Sequence, residues 1–320
     1  MVKILYANPS ARVCVGGGFS ELFDIKRGVR QGDPIFPLIF NLSIEPLTHL
    51  IKSCLRISPI TVGTTSHSTS LYADDTLIYM LYVQRSLPVV LEILENFGYF
   101  SGYKVNLSKS ALMLLNIDQK DVSIPPQISV KQEVLYLGIR ISTSLTTIAK
   151  TNFSLVLKNI EDDISRWKHL PASIPARIAT IKMNILPRIN FISSMVLLPP
   201  PSGYWQKLDS LLRSYIWKDK RPSIKWSVLQ HSKPNGGRAC PNFKLYHWAF
   251  VLRSLKFWMD DDKVSSWKSM EQDLIAPIRL KDFLLMGISS KKCGLHYGPI
   301  FSYLLQVFRA VERFIGHKSI

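Results

Sequence analysis

The clearest indication of the fold comes from the segment Ser70-Leu71-Tyr72-Ala73-Asp74-Asp75-Thr76-Leu77-Ile78-Tyr79. Two adjacent acids lie between apolar runs with strand-like composition, so the pattern predicts a short hairpin with the acids at its turn. Asp-Asp is a weaker turn signal than Asn-Gly or Asp-Gly. Carboxylates at such a tip suit Mg²⁺, a hard cation that takes oxygen ligands and shares its shell with substrate phosphates. Taken alone, the acid pair is also compatible with an ordinary solvated turn.

The overall composition favours a partner that carries negative charge. The chain has 320 residues, with 40 Lys and Arg against 23 Asp and Glu and a net charge of +17. This balance favours nucleic acid first and an anionic membrane surface second, although charge can also serve solubility alone. No apolar stretch reaches the length of a bilayer-spanning helix, which argues against a membrane partner. A hydrophobic content of 47% suffices for two or three domains.

Cysteine and histidine spacing gives no sign of a metal site. The cysteines are far apart, which disfavours a zinc site and a disulfide framework and indicates a reducing compartment. Nothing at the start of the chain resembles a cleavable signal, so secretion is not expected. His247, beside Trp248, is interpreted as a packed or backbone-facing residue rather than a ligand. The cysteines are Cys14, Cys54, Cys240 and Cys293.

The first part of the chain mixes strand and helix signals. Gly16-Gly17-Gly18 predicts a hairpin turn. Asp33 predicts the cap of a helix that starts at Pro34 and that Pro46 kinks or shortens. A second helix has apolar residues at helical spacing and is predicted to end at Gly98. A turn that leads into a strand is predicted over residues 101–106, and further strands over residues 111–115 and 134–139.

Helical patterns dominate from about residue 145. Apolar stripes over residues 153–167, 178–189 and 208–216 are interpreted as buried helix faces. The second of these helices is expected to bend at Pro187.

Four motifs occur in the order and at the spacing of a known family. The series resembles the reverse transcriptase of non-LTR retrotransposons, specifically the LINE-1 type, and the resemblance covers roughly Ile4 to Trp258. Segments between Ile216 and Lys244 are similar to the region after the thumb in the same elements. The four motifs are Arg27-Gly28-Val29-Arg30-Gln31-Gly32-Asp33-Pro34, Tyr72-Ala73-Asp74-Asp75, Phe97-Gly98-Tyr99-Phe100-Ser101-Gly102-Tyr103-Lys104-Val105-Asn106-Leu107-Ser108-Lys109-Ser110 and Tyr136-Leu137-Gly138-Ile139.

The resemblance implies an α+β fold in three parts. A partial right-hand polymerase palm, an antiparallel sheet with packed helices, is expected over residues 1–143. An all-helical thumb follows over residues 144–233 and a further helical region over residues 234–320. The family activity is RNA-directed DNA polymerase, with an RNA template and a DNA primer or an RNA–DNA hybrid as partners and two Mg²⁺ ions for nucleotidyl transfer. Protein partners stay open, and a nuclear or cytoplasmic site follows only by analogy.

The resemblance also implies residue roles. Asp74 is the expected direct metal ligand, with Asp75 assisting it or lying slightly outside the shell. Lys109 is the first candidate for the lysine that protonates the leaving pyrophosphate, and Lys104 is the second. Tyr136-Leu137-Gly138 resembles the hairpin that steadies the primer end.

Nucleotide and template contacts are expected just before the first long helix. Gly32 lets the backbone approach a ligand closely, and Gln31 lies beside it. Arg27 and Arg30 are candidates for phosphate or template contact, with ordinary solvated charges as an equal alternative.

A basic segment with interleaved aromatic residues lies farther along the chain. Residues 201–260 hold 11 Lys and Arg against 3 Asp. Basic side chains on phosphates with aromatic rings on bases are how single strands and hybrids are bound. Tyr215 is expected in the core. The expected nucleic-acid contacts are Lys218, Lys220, Arg221 and Lys225.

One family feature has no match in the sequence. The family palm needs a further aspartate, in a motif like Phe-x-Lys-Ala-Phe-Asp, upstream of the segment that resembles residues 4–9. The expectation is therefore a truncated element that lacks this motif and the fingers and does not polymerise alone. Asp24 is the nearby acid, but its context is wrong for the role. A non-catalytic RNA- or DNA-binding protein and a relic with no selected role are the alternatives.

Overall fold

The computed structural model describes residues 7–26, 32–117, 123–260, 265–285 and 298–316. They fall into two compact units. The first contains the described residues up to Thr61 and from Ser66 to Asn106, and the second contains Val62–Thr65 and those from Leu107 onward. The predicted boundaries after residues 143 and 233 stay predictions. None of the described helices is both long and apolar enough to cross a membrane.

Short strands open the chain. The Gly16-Gly17 turn joins β2 to β3, which confirms the predicted hairpin, and β1 pairs with β4 around it. β7 and β8 form a further antiparallel hairpin that contains the acid pair. The strands are β1 (Ser10–Ala11), β2 (Cys14–Val15), β3 (Gly18–Phe19), β4 (Phe23–Asp24), β5 (Ile60–Val62), β6 (Thr65–His67), β7 (Thr69–Tyr72) and β8 (Asp75–Ile78).

Two helices give the first unit its core. They are α1 (Phe36–Ser53) and α2 (Val83–Ser101). Leu47 and Ile51 on α1 and Val90 on α2 belong to one buried cluster, and Leu71 and Ile78 of the β7–β8 hairpin pack against it. Apolar residues at helical spacing on both helices thus bury one face of the hairpin, which fixes its position in the unit.

The start of α1 differs from the prediction. The Asp33 carboxylate accepts the backbone N–H of Ile35 at 3.0 Å, so it closes a turn of its own and the helix begins at Phe36 rather than Pro34. Pro46 does not shorten the helix, which runs for 18 residues through it. Pro46 has no N–H that could bond the Leu42 carbonyl. Leu42 is exposed, so water can bond this carbonyl instead.

The end of α2 also differs. Gly102, not Gly98, takes the left-handed conformation, with φ 72°, and its N–H donates to the Gly98 carbonyl. Gly98 lies inside the helix, where a Cβ would come within 2.5 Å of the Tyr103 carbonyl oxygen. Its glycine therefore permits a close backbone approach. Residues 102–106 form no strand, contrary to the prediction.

The second unit is mostly helical. Within the described residues all strands pair two by two, rather than in one continuous antiparallel sheet, and β9 with β10 is parallel. The elements are β9 (Ala111–Leu112), β10 (Ser129–Val130), β11 (Glu133–Tyr136), β12 (Ile139–Ser142), α3 (Leu145–Trp167), α4 (Ile174–Thr180), a π-helical turn (Ile181–Ile185), α5 (Leu186–Met195), α6 (Tyr204–Trp217), α7 (Trp226–Gln230), a 3₁₀ turn (Lys233–Asn235), α8 (Phe243–Met259), α9 (Ser266–Ile275), α10 (Leu280–Leu285) and α11 (Pro299–Gly316).

The three apolar stripes form the main core of this unit, as predicted. Phe153 on α3, Ile189 on α5 and Leu208 on α6 are fully buried in one cluster. A π-helical turn ends at Ile185, two residues before Pro187, and the predicted bend at Pro187 stays a prediction. Such a turn inserts a residue and relieves the bond that proline cannot make.

His247 on α8 lies at the centre of the second unit. Its Nδ1 is 2.8 Å from the Ser193 hydroxyl and its Nε2 is 2.6 Å from the Tyr303 hydroxyl. The side chain is fully buried, and burial lowers its pKa to about 4. The prediction of a packed histidine is confirmed, with side chains rather than backbone as its partners.

Candidate functional site

The acid pair occupies the tip of the β7–β8 hairpin, as the sequence predicts. Tyr72 pairs with Asp75, so the turn consists of Ala73 and Asp74. Ala73 has φ 50°, the left-handed conformation that a two-residue hairpin turn requires. Asp74 and Asp75 are both exposed, so their carboxylates are open to solvent and to ligands.

Tyr103 forms a hydrogen bond to the turn of this hairpin. Its hydroxyl donates to the Asp74 backbone carbonyl at 3.4 Å, and its ring packs against Phe97 with centroids 6.1 Å apart. Burial raises the pKa of the Tyr103 phenol, and the charges of Asp74 and Asp75 raise it further. The Tyr103 phenol thus lies within electrostatic reach of both carboxylates.

The donor chemistry of the pair fits Mg²⁺. Both groups are hard carboxylate oxygens at an accessible turn, and Mg²⁺ is often bound through one or two carboxylates together with substrate phosphates. In the part of the chain that the structure describes, no group of three or more His, Cys, Asp or Glu side chains could hold a metal ion.

The predicted nucleotide contacts lie partly outside the described residues. Arg27, Arg30 and Gln31 belong to the segment that the structure does not describe. Gly32 is described: its φ is 92°, and no atom lies within 4 Å of the position that a Cβ would take. The backbone at Gly32 is therefore open to close approach.

The two candidate lysines lie on exposed segments. Lys104 follows α2 in the first unit, and Lys109 belongs to the turn before β9 in the second. The predicted catalytic role of Lys109 stays a prediction.

The predicted primer hairpin is a tight turn between β11 and β12. Leu137 and Gly138 have φ 47° and 78°, the pattern of a two-residue hairpin turn, and Tyr136 precedes them. Asn152 on α3 holds the hairpin, because its side chain accepts the Arg140 N–H at 2.9 Å and donates to the Arg140 carbonyl at 2.8 Å. Local sequence gave no signal for Asn152, since its partner lies twelve residues away on a strand.

The predicted basic contacts follow α6. Lys220, Arg221 and Lys225 are exposed and Lys218 is half-buried, and no acidic partner is found for these four among the described residues. Tyr215 is buried, which confirms its predicted core role. Sequence reasoning missed Arg213, whose guanidinium lies over the Trp226 ring at 5.2 Å.

Comparison with known proteins decides the family of the first part of the chain. Residues 6–141 match the model of the reverse transcriptase (RNA-dependent DNA polymerase) family. This segment is a reverse transcriptase domain. It contains the acidic hairpin, the Gly32 turn and the Leu137-Gly138 turn.

The domain is of the non-LTR retrotransposon type. The chain is similar to "Transposon TX1 uncharacterized 149 kDa protein" of Xenopus laevis, with 22% identity over 286 residues, which is 87% of this chain and 21% of that protein. It is also similar to the Pol polyprotein of the type-2 retrotransposable element R2DM of Drosophila melanogaster, with 24% identity over 75% of this chain and 23% of that protein. An R2 Pol polyprotein of Bradysia coprophila gives 24% identity over 75% of this chain and 28% of its own length.

These relatives place the reverse transcriptase in the broad non-LTR group. They are TX1 and R2 proteins, and the LINE-1 assignment stays a proposal. The chain spans between 21% and 28% of the length of these three relatives.

Proposed function

We propose that this chain binds template and primer and contributes two metal-binding carboxylates in a LINE-1-type reverse transcriptase. The observation that carries the proposal is the exposed acid pair at a braced hairpin tip, inside the segment that matches the family. Asp74 is the direct Mg²⁺ ligand and Asp75 assists it. When bound, two such ions stabilise the attacking and leaving oxygens of nucleotidyl transfer.

The remaining residues of the domain bind and orient the substrates. Arg27, Arg30, Gln31 and Gly32 contact the incoming nucleotide and template. Lys109 neutralises or protonates the leaving pyrophosphate, since a cation there stabilises the charge that develops in the transition state. The Tyr136-Leu137-Gly138 turn steadies the primer end.

The second candidate is nucleic-acid binding without catalysis. Four cations without a described acidic partner follow α6, and such cations release counterions when they meet phosphates. For this second candidate we propose that the cations that follow α6 bind an RNA–DNA hybrid without nucleotidyl transfer.

Salt titration of template–primer binding tests the proposal. The logarithm of the affinity is expected to fall linearly with the logarithm of the salt concentration, with a slope of about −0.7 to −0.9 for each phosphate contact. The Lys220→Gln/Arg221→Gln variant is expected to have a shallower slope, because two contacts are lost. Fluorescence anisotropy of a labelled hybrid measures both.

Lys150→Gln/Lys158→Gln is the matched control, since it removes the same charge from exposed positions on α3. It is expected to bind like the wild type. A salt-independent affinity would remove the binding proposal. Primer extension that appears when nucleotides are added to the same mixture, and disappears in Asp74→Ala, would show that the chain polymerises alone.

A further inference from the structure

A pocket of about 330 Å³ lies between the end of α6 and the start of α7, entirely within the second unit. Two cations and several apolar or aromatic side chains line it. This combination is typical of sites that bind a phosphate together with the organic group attached to it. The lining residues are Arg213, Trp217, Pro222, Ser223, Ile224, Lys225 and Trp226. We refer to them as the basic turn pocket.

A buried side chain stabilises the end of α6 beside the pocket. The buried guanidinium of Arg177 donates to the carbonyls of Tyr215 and Ile216 at 3.2 and 2.8 Å. These are carbonyls of the last helical turn, which otherwise lack partners. The helix end beside the pocket is therefore stabilised without a bound ligand.

The turn after α6 is fixed as well. Lys218 and Asp219 both have positive φ, 48° and 58°, an uncommon conformation for residues other than glycine. Asp219 forms an ion pair with Lys168 and accepts the Ser214 hydroxyl. These contacts hold the strained turn in place, and strain of this kind is commonly found at binding sites.

The cations of the pocket are arranged for an anion. The Arg213 guanidinium lies over one face of the Trp226 ring, 5.2 Å from its centroid, where the ring attracts the cation. Asp209, one helical turn earlier, has its pKa raised by burial, and the Arg213 charge opposes that rise. No ion pair joins Asp209 to Arg213 among the described residues, and Lys225 is exposed without a described acidic partner. Two cationic groups thus remain for one phosphate.

The size and lining of the pocket select an unpaired nucleotide. A volume of about 330 Å³ is near the lower end for small-molecule sites, so it admits one phosphate with its sugar and base but not a double helix. Because Arg213 occupies one face of Trp226, the side chains of Pro222 and Ile224 provide the apolar surface that remains for an attached base.

We propose that the basic turn pocket binds one nucleotide of a single-stranded RNA or DNA, with its phosphate held by Arg213 and Lys225. This inference rests on the proposed nucleic-acid binding and deepens it. Of the cations that follow α6, Lys218, Lys220 and Arg221 contact any strand, whereas Lys225 belongs to the pocket, which discriminates single strands from duplexes.

The test compares single-stranded and duplex oligonucleotides of equal length. Arg213→Gln and Lys225→Gln are each expected to lower the single-strand affinity about tenfold, the effect of one charge-assisted hydrogen bond, and to leave duplex affinity nearly unchanged. The double variant is expected to lose less than the sum, because both groups bind the same phosphate. Lys207→Gln is the control, since Lys207 is exposed on the same helix but does not line the pocket.

Several outcomes would overturn the pocket alone. They are an equal loss in Lys207→Gln, an equal loss for the duplex, or a free mononucleotide that competes as well as the strand. If the wild type bound no nucleic acid at any salt concentration, the proposed function would fail together with the pocket. Thermal unfolding checks that the variants are folded, and Lys225→Gln keeps the test informative if Arg213→Gln is unstable.

Discussion

Lowering the pH from 6.5 to about 4 is expected to cost the second unit about 3 kcal/mol of unfolding free energy through His247 alone. The folded-state pKa of His247 is about 4, below the ordinary value of 6.5. The unfolded chain therefore takes up a proton first as the pH falls. The stability that depends on neutral His247 is fully present above pH 6.5, declines as the pH falls from 6.5 to about 4, and levels off below about 4.

The His247→Gln variant separates this effect from other titrations. Glutamine can still donate to and accept from the hydroxyls of Ser193 and Tyr303 but does not titrate. Burial raises the pKa of Glu271 to about 6. As the pH falls, the folded chain therefore binds this proton before the unfolded chain does, so Glu271 increases stability toward low pH and opposes the effect of His247. The difference between the two denaturant titrations across this range isolates His247. Parallel pH profiles for the variant and the wild type would disprove its role.

Gly237→Ala is expected to destabilise the second unit by about 3 kcal/mol, at the upper end for overpacking. Gly237 is buried in the loop that follows α7, and a Cβ there would lie 2.0 Å from the His231 carbonyl oxygen. That oxygen already accepts the Ala239 N–H at 2.8 Å. The clash is with backbone, so it cannot be relieved by rotating a side chain.

Gly236→Ala provides the matched control for this loop. Gly236 has φ 75° but no atom within 4 Å of a Cβ position, so the substitution adds only backbone strain of about 1 kcal/mol. Thermal or denaturant unfolding measures both variants. Equal losses for the two would show that conformation rather than steric contact determines the cost.

Local patterns predicted the parts of the fold that depend on neighbouring residues. The hairpin at Asp74 follows from apolar runs of strand-like composition on both sides of the acids, and the Leu208 stripe follows from helical spacing. The role of Gly98 was predicted wrongly because a glycine can either end a helix or allow another backbone to approach closely. Only the position of the Tyr103 carbonyl distinguishes the two.

Contacts between distant segments could not be predicted in this way. Arg177 caps the end of α6 from 39 residues away, and His247 meets Ser193 and Tyr303 on two other helices. A single sequence gives the chemical capacity of such side chains but not their partners. The pocket at Arg213 was missed for the same reason, because its cation–ring pair joins two separate helices.

The most direct test of the account is the Mg²⁺ dependence of template–primer affinity in the wild type, Asp74→Asn and Glu95→Gln. Glu95 is an exposed acid on α2 of the same unit and provides the control. Without metal, Asp74→Asn is expected to bind the hybrid more tightly than the wild type, because a repelling charge is gone. Mg²⁺ is expected to raise the affinity of the wild type and of Glu95→Gln about tenfold and that of Asp74→Asn far less. An equal response to Mg²⁺ in all three proteins would contradict the assignment of the hairpin acids as metal ligands beside the primer.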